Sequence, residues 1–198
     1  QIYGLTKGQY SPTSEPGKRT KSSPHGSIDH PFNPISLALG AEATFVARTL
    51  DMDREHTTEI LQAAYEHEGT AFIEIYQNCN VFNDKAFIQL TGKEERVHNR
   101  INLEAGKPIT FGPNGEKAVV LEGGEAKIVD TAAVDPGRIL VHDPTRSDPT
   151  VAFALSRLSH GPYGPTPLGI FRKVRRPTYE SLLDHQEPGR GQLLGHRR

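Results

Sequence analysis

The sequence predicts an α/β fold: a parallel sheet with flanking helices, carrying a small antiparallel hairpin insert. Three patterns lead to that expectation. An apolar run at Thr44-Phe45-Val46-Ala47, an amphipathic stretch opened by Asp53, and a β-rich run at Ala71–Tyr76 follow one another in the chain. Strand, helix and strand in that order mark a βαβ unit, whose strands lie parallel. Residues 107–130 then switch to short β-favouring runs separated by turn signals, which is the pattern of consecutive hairpins.

Residues 1–34 are rich in proline, glycine and serine and carry no sustained period, so they read as irregular. A loop of that length in a compact domain is generally functional or disordered. Asn33-Pro34 then sets a side-chain acceptor before a proline in the first helical turn, opening a short helix through Ser36–Leu39 that Gly40 ends. The next helix begins at Asp53 and presents Ile60, Leu61, Ala64 and Tyr65 as one apolar face, with Gly69 as its terminator. Cys79, Asn80 and Asn83 fall just beyond the strand that follows. Ligands of parallel α/β sheets sit beyond the carboxyl ends of the strands.

Within the insert, Ile109-Thr110-Phe111 and Ala118–Leu121 flank Pro113-Asn114-Gly115, and Ala126–Val129 follows the Gly123-Gly124 turn. A last helix spans Pro149–Leu158 behind Asp148. Residues 1–186 are expected to form one domain, with the insert at about 107–130, and the Gly-, Arg- and His-rich residues 187–198 a disordered tail.

Bulk properties exclude several classes. The 198 residues are 35% hydrophobic and 24% charged, with a formal net charge of -1. That balance gives no global field toward nucleic acid or an anionic membrane. No apolar run reaches the roughly 18 residues needed to span a bilayer. The single cysteine, Cys79, rules out a disulfide framework within this chain and favours a cytoplasmic setting. Because Gln1 runs straight into Ile2-Tyr3-Gly4-Leu5, upstream sequence is expected to be missing.

The stretch Tyr3-Gly4-Leu5-Thr6-Lys7-Gly8-Gln9 is the richest in chemistry. Glycine lets backbone approach a ligand, N–H groups and a hydroxyl suit phosphate, and lysine adds a point charge. A surface loop with a solvated lysine fits the same composition. Cys79 reads either as a metal-ligating thiol or as a buried inert one. His25 and His30 flank Asp29, but their spacing matches no standard zinc pattern. His98, His142, His160 and His185 read as surface residues, and Asp143 and Asp148 as turn and cap residues. Arg172, Lys173, Arg175 and Arg176 form a basic cluster suited to an acidic partner, a solvated face or a subunit contact.

Three ordered stretches carry a family resemblance. Ile2–Thr13 resembles the loop after the thiamine-diphosphate motif in 2-oxoacid:ferredoxin oxidoreductase β subunits. Lys21-Ser22-Ser23-Pro24-His25-Gly26 resembles that family's serine–proline–glycine segment, and Phe72–Asn83 its strand and cysteine loop. Thr166-Pro167-Leu168-Gly169-Ile170-Phe171-Arg172 is similar as well. The resemblance implies a thiamine-diphosphate-binding fold, here incomplete, and a C-terminal portion of the β subunit.

The resemblance also assigns roles. The Ile2 carbonyl is implied as a ligand of diphosphate-bound Mg2+, Tyr3, Gly4, Leu5 and Thr6 as the diphosphate lining, and Lys7 as the partner of a 2-oxoacid carboxylate. The remaining Mg2+ ligands would precede Gln1. Cys79 matches the fourth ligand of a 4Fe–4S cluster whose other three cysteines lie outside this chain. The implied reaction is oxidative decarboxylation of a 2-oxoacid, with 2-oxoglutarate favoured over pyruvate. Coenzyme A takes the acyl group, and electrons pass through the cluster to ferredoxin. An α subunit completes the site. Two alternatives stand beside this reading: a non-catalytic interaction module, and an iron-free thiamine-diphosphate decarboxylase or synthase.

Overall fold

Asn33 begins the first regular element. Its Oδ1 accepts a hydrogen bond from Ser36 N at 3.0 Å, capping helix α1 (Pro34–Gly40), while its Nδ2 donates to the Ser156 carbonyl at 2.8 Å. One side chain thus starts α1 and ties it to a helix more than a hundred residues away. The computed structural model describes residues 11–21, 23–80, 83–159 and 163–186. Ile2, Tyr3, Gly4, Leu5, Thr6 and Lys7, together with Ser22, His160 and the tail from 187, lie outside them.

Strand β1 (Phe45–Leu50) is buried along its whole length, as expected of a strand covered on both faces. It pairs in parallel with β2 (Ala71–Tyr76) through helix α2 (Arg54–Tyr65), which Asp53 caps, so the βαβ unit is present. The short helices α3 (Ile88–Thr91) and α4 (Arg96–Asn99) lead into β3 (Arg100–Leu103). The insert follows as β4 (Thr110–Phe111), β5 (Lys117–Glu122) and β6 (Glu125–Asp130), an antiparallel sheet within the expected bounds. Gly123 and Gly124, at φ 58° and 86°, form the two-residue β5–β6 turn, where two positive φ values favour glycine. Helix α5 (Thr150–Ser156), strand β7 (Thr166–Lys173) and helix α6 (Tyr179–Gln186) complete the chain.

The main sheet has the order β2-β1-β7-β3. β1–β2 and β3–β7 are parallel pairs, but β7 runs antiparallel to β1, so the sheet is mixed and mostly parallel. The pleat sorts the core. Phe45 and Ala47 face α2 and pack with Ile60, while Val46 faces α1, α5 and the insert. Ile109, Phe111 and Val119 of the insert join that second layer, so the insert is part of the main core.

Several expectations need correction. Leu61 and Tyr65 do not share the buried face of α2: they are 47% and 91% exposed, and the packed face is Ile60, Ala63 and Ala64. Positions 61 and 65 lie about 100° and about 140° around the helix from position 60, beyond the reach of β1 and β7. Gly69 does not end the helix, which stops at Tyr65 with Glu66 as its cap. The Pro149–Leu158 helix is shorter, starting at Thr150, whose N–H bonds Asp148 Oδ1 at 2.7 Å. It is also not the last, since α6 follows.

His142 is not a surface residue. It is 2% exposed, and its Nε2 meets the Ile170 carbonyl of β7 at 2.8 Å. Arg172 likewise leaves the basic cluster for the interior, donating to the carbonyls of Ala43 and Ser147.

Burial holds the His142 imidazole below its ordinary pKa of 6.5, and burial does the same at His67. The unfolded chain therefore binds protons that the folded one does not. Stability attributable to these histidines is complete above about pH 6.5 and declines as pH falls below it. Thermal melts between pH 7 and pH 5 are expected to show a falling midpoint, with a shallower fall in His142→Gln. An equal slope in that variant would remove His142 from the effect.

Candidate functional site

A cleft of about 440 Å³ runs along β2 from Phe72 to the loop past its carboxyl end at Cys79. Its floor comes from alternate β2 residues, Phe72, Glu74 and Tyr76, with Arg48 of β1; one wall comes from Thr13 and Pro31–Pro34, and the rim from Cys79. Only its end at Gln77–Cys79 lies beyond the carboxyl end of a parallel strand, where such sheets place ligands. Tyr163 also reaches the cleft, and its hydroxyl donates to a Glu15 carboxylate oxygen in the early loop. Burial works to raise the Glu15 pKa, but hydrogen bonds from Tyr163, its own backbone N–H and Lys18 outweigh burial and hold it below the usual range.

The early loop is ordered by its own backbone. Gly17 N donates to Ser27 O at 2.7 Å, Ser27 N to Lys18 O at 3.0 Å, and Phe32 N to Pro12 O at 2.7 Å. Gly26 is required there. Its φ is 96°, and a Cβ would stand 2.9 Å from the Gly17 carbonyl oxygen.

Arg48 and Glu74 are the charged pair of the floor. They are register partners on adjacent parallel strands, joined by Arg48 Nε to Glu74 Oε2 at 2.7 Å. Arg48 Nη1 also donates to the Pro167 carbonyl at 3.3 Å, and its guanidinium lies 5.2 Å from the Tyr76 ring centroid. Burial pushes the Tyr76 hydroxyl well above its ordinary range, so it remains a phenol.

Beyond Tyr76 the chain forms the cysteine loop. Asp51 accepts a hydrogen bond from Asn78 N at 3.2 Å, Asn78 Nδ2 donates to Asp84 at 3.0 Å, and Asn83 N donates to the Cys79 carbonyl at 2.9 Å. Cys79 is half-buried. A thiolate there is a soft donor of the kind iron–sulfur centres use. It supplies one ligand, and four are needed, so a cluster would draw the others from outside this chain.

Of the expected site residues, the structure thus places Cys79 at the cleft, while the loop from Ile2 to Lys7 lies outside the described residues. His25, Asp29 and His30 are exposed, and among the described residues no group of three or more His, Cys, Asp or Glu side chains is set to hold a metal ion. Sequence reasoning missed Arg48, Glu74 and Tyr163. A signal existed for the first two: opposite charges inside two apolar strands of one βαβ unit have few stable arrangements other than facing each other.

Comparison with known proteins converges on one group. The family described as thiamine pyrophosphate enzyme, C-terminal TPP binding domain, matches residues 1–75. The 2-oxoglutarate oxidoreductase subunit KorB of Mycobacterium tuberculosis is 57% identical over 188 residues, 94% of this chain and 50% of that one. The 2-oxoacid:ferredoxin oxidoreductase subunit beta of Saccharolobus solfataricus is 47% identical over 83 residues, 42% of this chain and 27% of its own. A solved structure of 2-oxoglutarate:ferredoxin oxidoreductase from Magnetococcus marinus, with 2-oxoglutarate, coenzyme A and succinyl-CoA bound, superposes with a TM-score of 0.62 at 27% identity. It covers 98% of this chain and 50% of that one. The chain therefore spans no more than half the length of these relatives. Among the described residues, no helix is long and apolar enough to cross a membrane.

Proposed function

This chain is a relative of the 2-oxoacid:ferredoxin oxidoreductase β subunits, and we propose that it is the C-terminal part of such a subunit acting on 2-oxoglutarate. With its α subunit, the whole enzyme decarboxylates the 2-oxoacid oxidatively, hands the acyl group to coenzyme A and passes electrons to ferredoxin in the cytoplasm. The observation that carries the reading is the shared cleft. Thr13, which continues the thiamine-diphosphate loop of this reading, and Cys79, its cluster ligand, line one cavity along β2.

When bound, thiamine diphosphate with its Mg2+ supplies the electron sink for decarboxylation, and the 4Fe–4S cluster a one-electron acceptor. The chain's own residues orient and enclose. In this reading the Ile2 carbonyl would hold Mg2+, Tyr3, Gly4, Leu5 and Thr6 would line the diphosphate, and Lys7 would pair with the substrate carboxylate. Magnesium's preference for oxygen ligands shared with phosphate suits that division. Cys79 would offer its sulfur to a cluster from the cleft that Thr13 also lines.

Lys7 gives the direct test. In the complete enzyme, Lys7→Ala is expected to raise the apparent KM for 2-oxoglutarate about tenfold or more, since one charge-assisted hydrogen bond is lost. Thiamine-diphosphate affinity should stay as it was. An unchanged response to 2-oxoglutarate would remove Lys7 from the substrate role.

A further inference from the structure

Thr13 stands in the cleft wall on a segment of chain that is anchored on either side of it. Before it, the Pro12 carbonyl accepts from Phe32 N at 2.7 Å. After it, Gly17 N donates to Ser27 O at 2.7 Å and Ser27 N to Lys18 O at 3.0 Å. Between these anchors lies Glu15, whose carboxylate accepts from the Tyr163 hydroxyl and pairs with Lys18 at 3.2 Å. Tyr163 lies just ahead of β7, where Thr166 Oγ1 donates to the Gly164 carbonyl at 2.8 Å. Tyr163 also lines the cleft, so one hydrogen bond joins the Thr13 wall to the chain that leads into the main sheet.

We propose that Glu15 and Tyr163 form a latch that fixes the Thr13 wall, so that the cleft is set before a ligand enters it. The Pro12, Gly17 and Lys18 bonds hold residues 12–18 to residues 27–32, and the latch holds them to the body of the protein. A phenol donating to a carboxylate makes a charge-assisted bond, stronger than a neutral pair. The Glu15 side chain is 28% exposed and Tyr163 41%, so water competes only in part. A preset wall favours binding because the ligand need not order it. The ligand named in the test, thiamine diphosphate, rests on the function proposed above, in which the Thr13 segment continues the cofactor loop. Glu15 and Tyr163 are positioning residues, acting on the wall and not on the reacting atoms.

The test uses the complete αβ enzyme as wild type, Tyr163→Phe, Glu15→Ala and the double variant. Amide hydrogen exchange of residues 11–18 is measured without ligand, and thiamine-diphosphate affinity is titrated beside it. Tyr163→Phe keeps the ring and removes only the hydroxyl, and unchanged exchange in β1 and β5 shows that the fold is intact. Each single variant is expected to exchange about fivefold faster or more across residues 11–18, and to bind thiamine diphosphate more weakly by a similar factor. The double variant should match Glu15→Ala, because both changes remove the same bond. Unchanged exchange in Tyr163→Phe would overturn the latch, and so would faster exchange with cofactor affinity unaltered. A wild type that binds no thiamine diphosphate would overturn the functional reading, while the exchange rates still decide the latch.

Discussion

Arg48→Met is expected to lower the stability of the fold by about 3–5 kcal/mol, because it leaves Glu74 charged and unpaired in the interior. The two side chains are 4% and 14% exposed, so water can compensate little of the loss. Arg48 also donates to Pro167 and packs on Tyr76 and Phe171, and methionine keeps part of that volume but none of the hydrogen bonds. Urea unfolding gives the number. The double variant Arg48→Met/Glu74→Leu should recover part of the loss, since replacing both members removes the stranded charge. A single variant within 1 kcal/mol of wild type would show that the pair contributes little.

The second large effect falls on chemistry and not on folding. In the complete enzyme, Cys79→Ser should remove stable cluster assembly and lower electron transfer to ferredoxin by on the order of a hundredfold or more, because four thiolates hold such a cluster. Cys79 takes no part in the hydrophobic core, so the melting temperature of the β1–α2–β2 unit should hardly move. Iron content, ferredoxin reduction and circular dichroism together separate the two. Full iron content in the variant would show that another ligand serves.

How legible the fold was depended on the range of the signals. The Asn33-Pro34 cap, the strand–helix–strand order and the Gly123-Gly124 turn are local, and the structure shows all three. The second half of β1 was hidden because Arg48 and Thr49 interrupt the apolar run. Glu74 satisfies the first from 26 residues away, and His56 and Thr57 bond the second. Strand β7 was hidden by Pro167 and Gly169, both poor strand residues. Pro167 lies where β7 pairs with β3 alone, since pairing with β1 begins only at Gly169. Gly169 has φ 121° and sits where a Cβ would come within 2.9 Å of the Leu103 carbonyl oxygen. The residue that weakens the strand signal is the one that permits the close approach of β3. His142 shows the converse failure: a histidine beside an aspartate and a proline reads as a surface turn, and only the Ile170 carbonyl explains its burial.

The candidate site was legible through the family resemblance for Cys79, while its supporting charges and rings came from the structure. Tyr163 and Glu15 meet across 148 residues, and no local pattern announces such a pair.

The central claim is tested most directly by mixing the complete β subunit with its α subunit under anaerobic conditions and following ferredoxin reduction. The account predicts reduction that requires 2-oxoglutarate and coenzyme A together, from an enzyme that contains iron and thiamine diphosphate. No reduction on adding both substrates to the cofactor-loaded enzyme, or turnover by an enzyme free of iron, would contradict it.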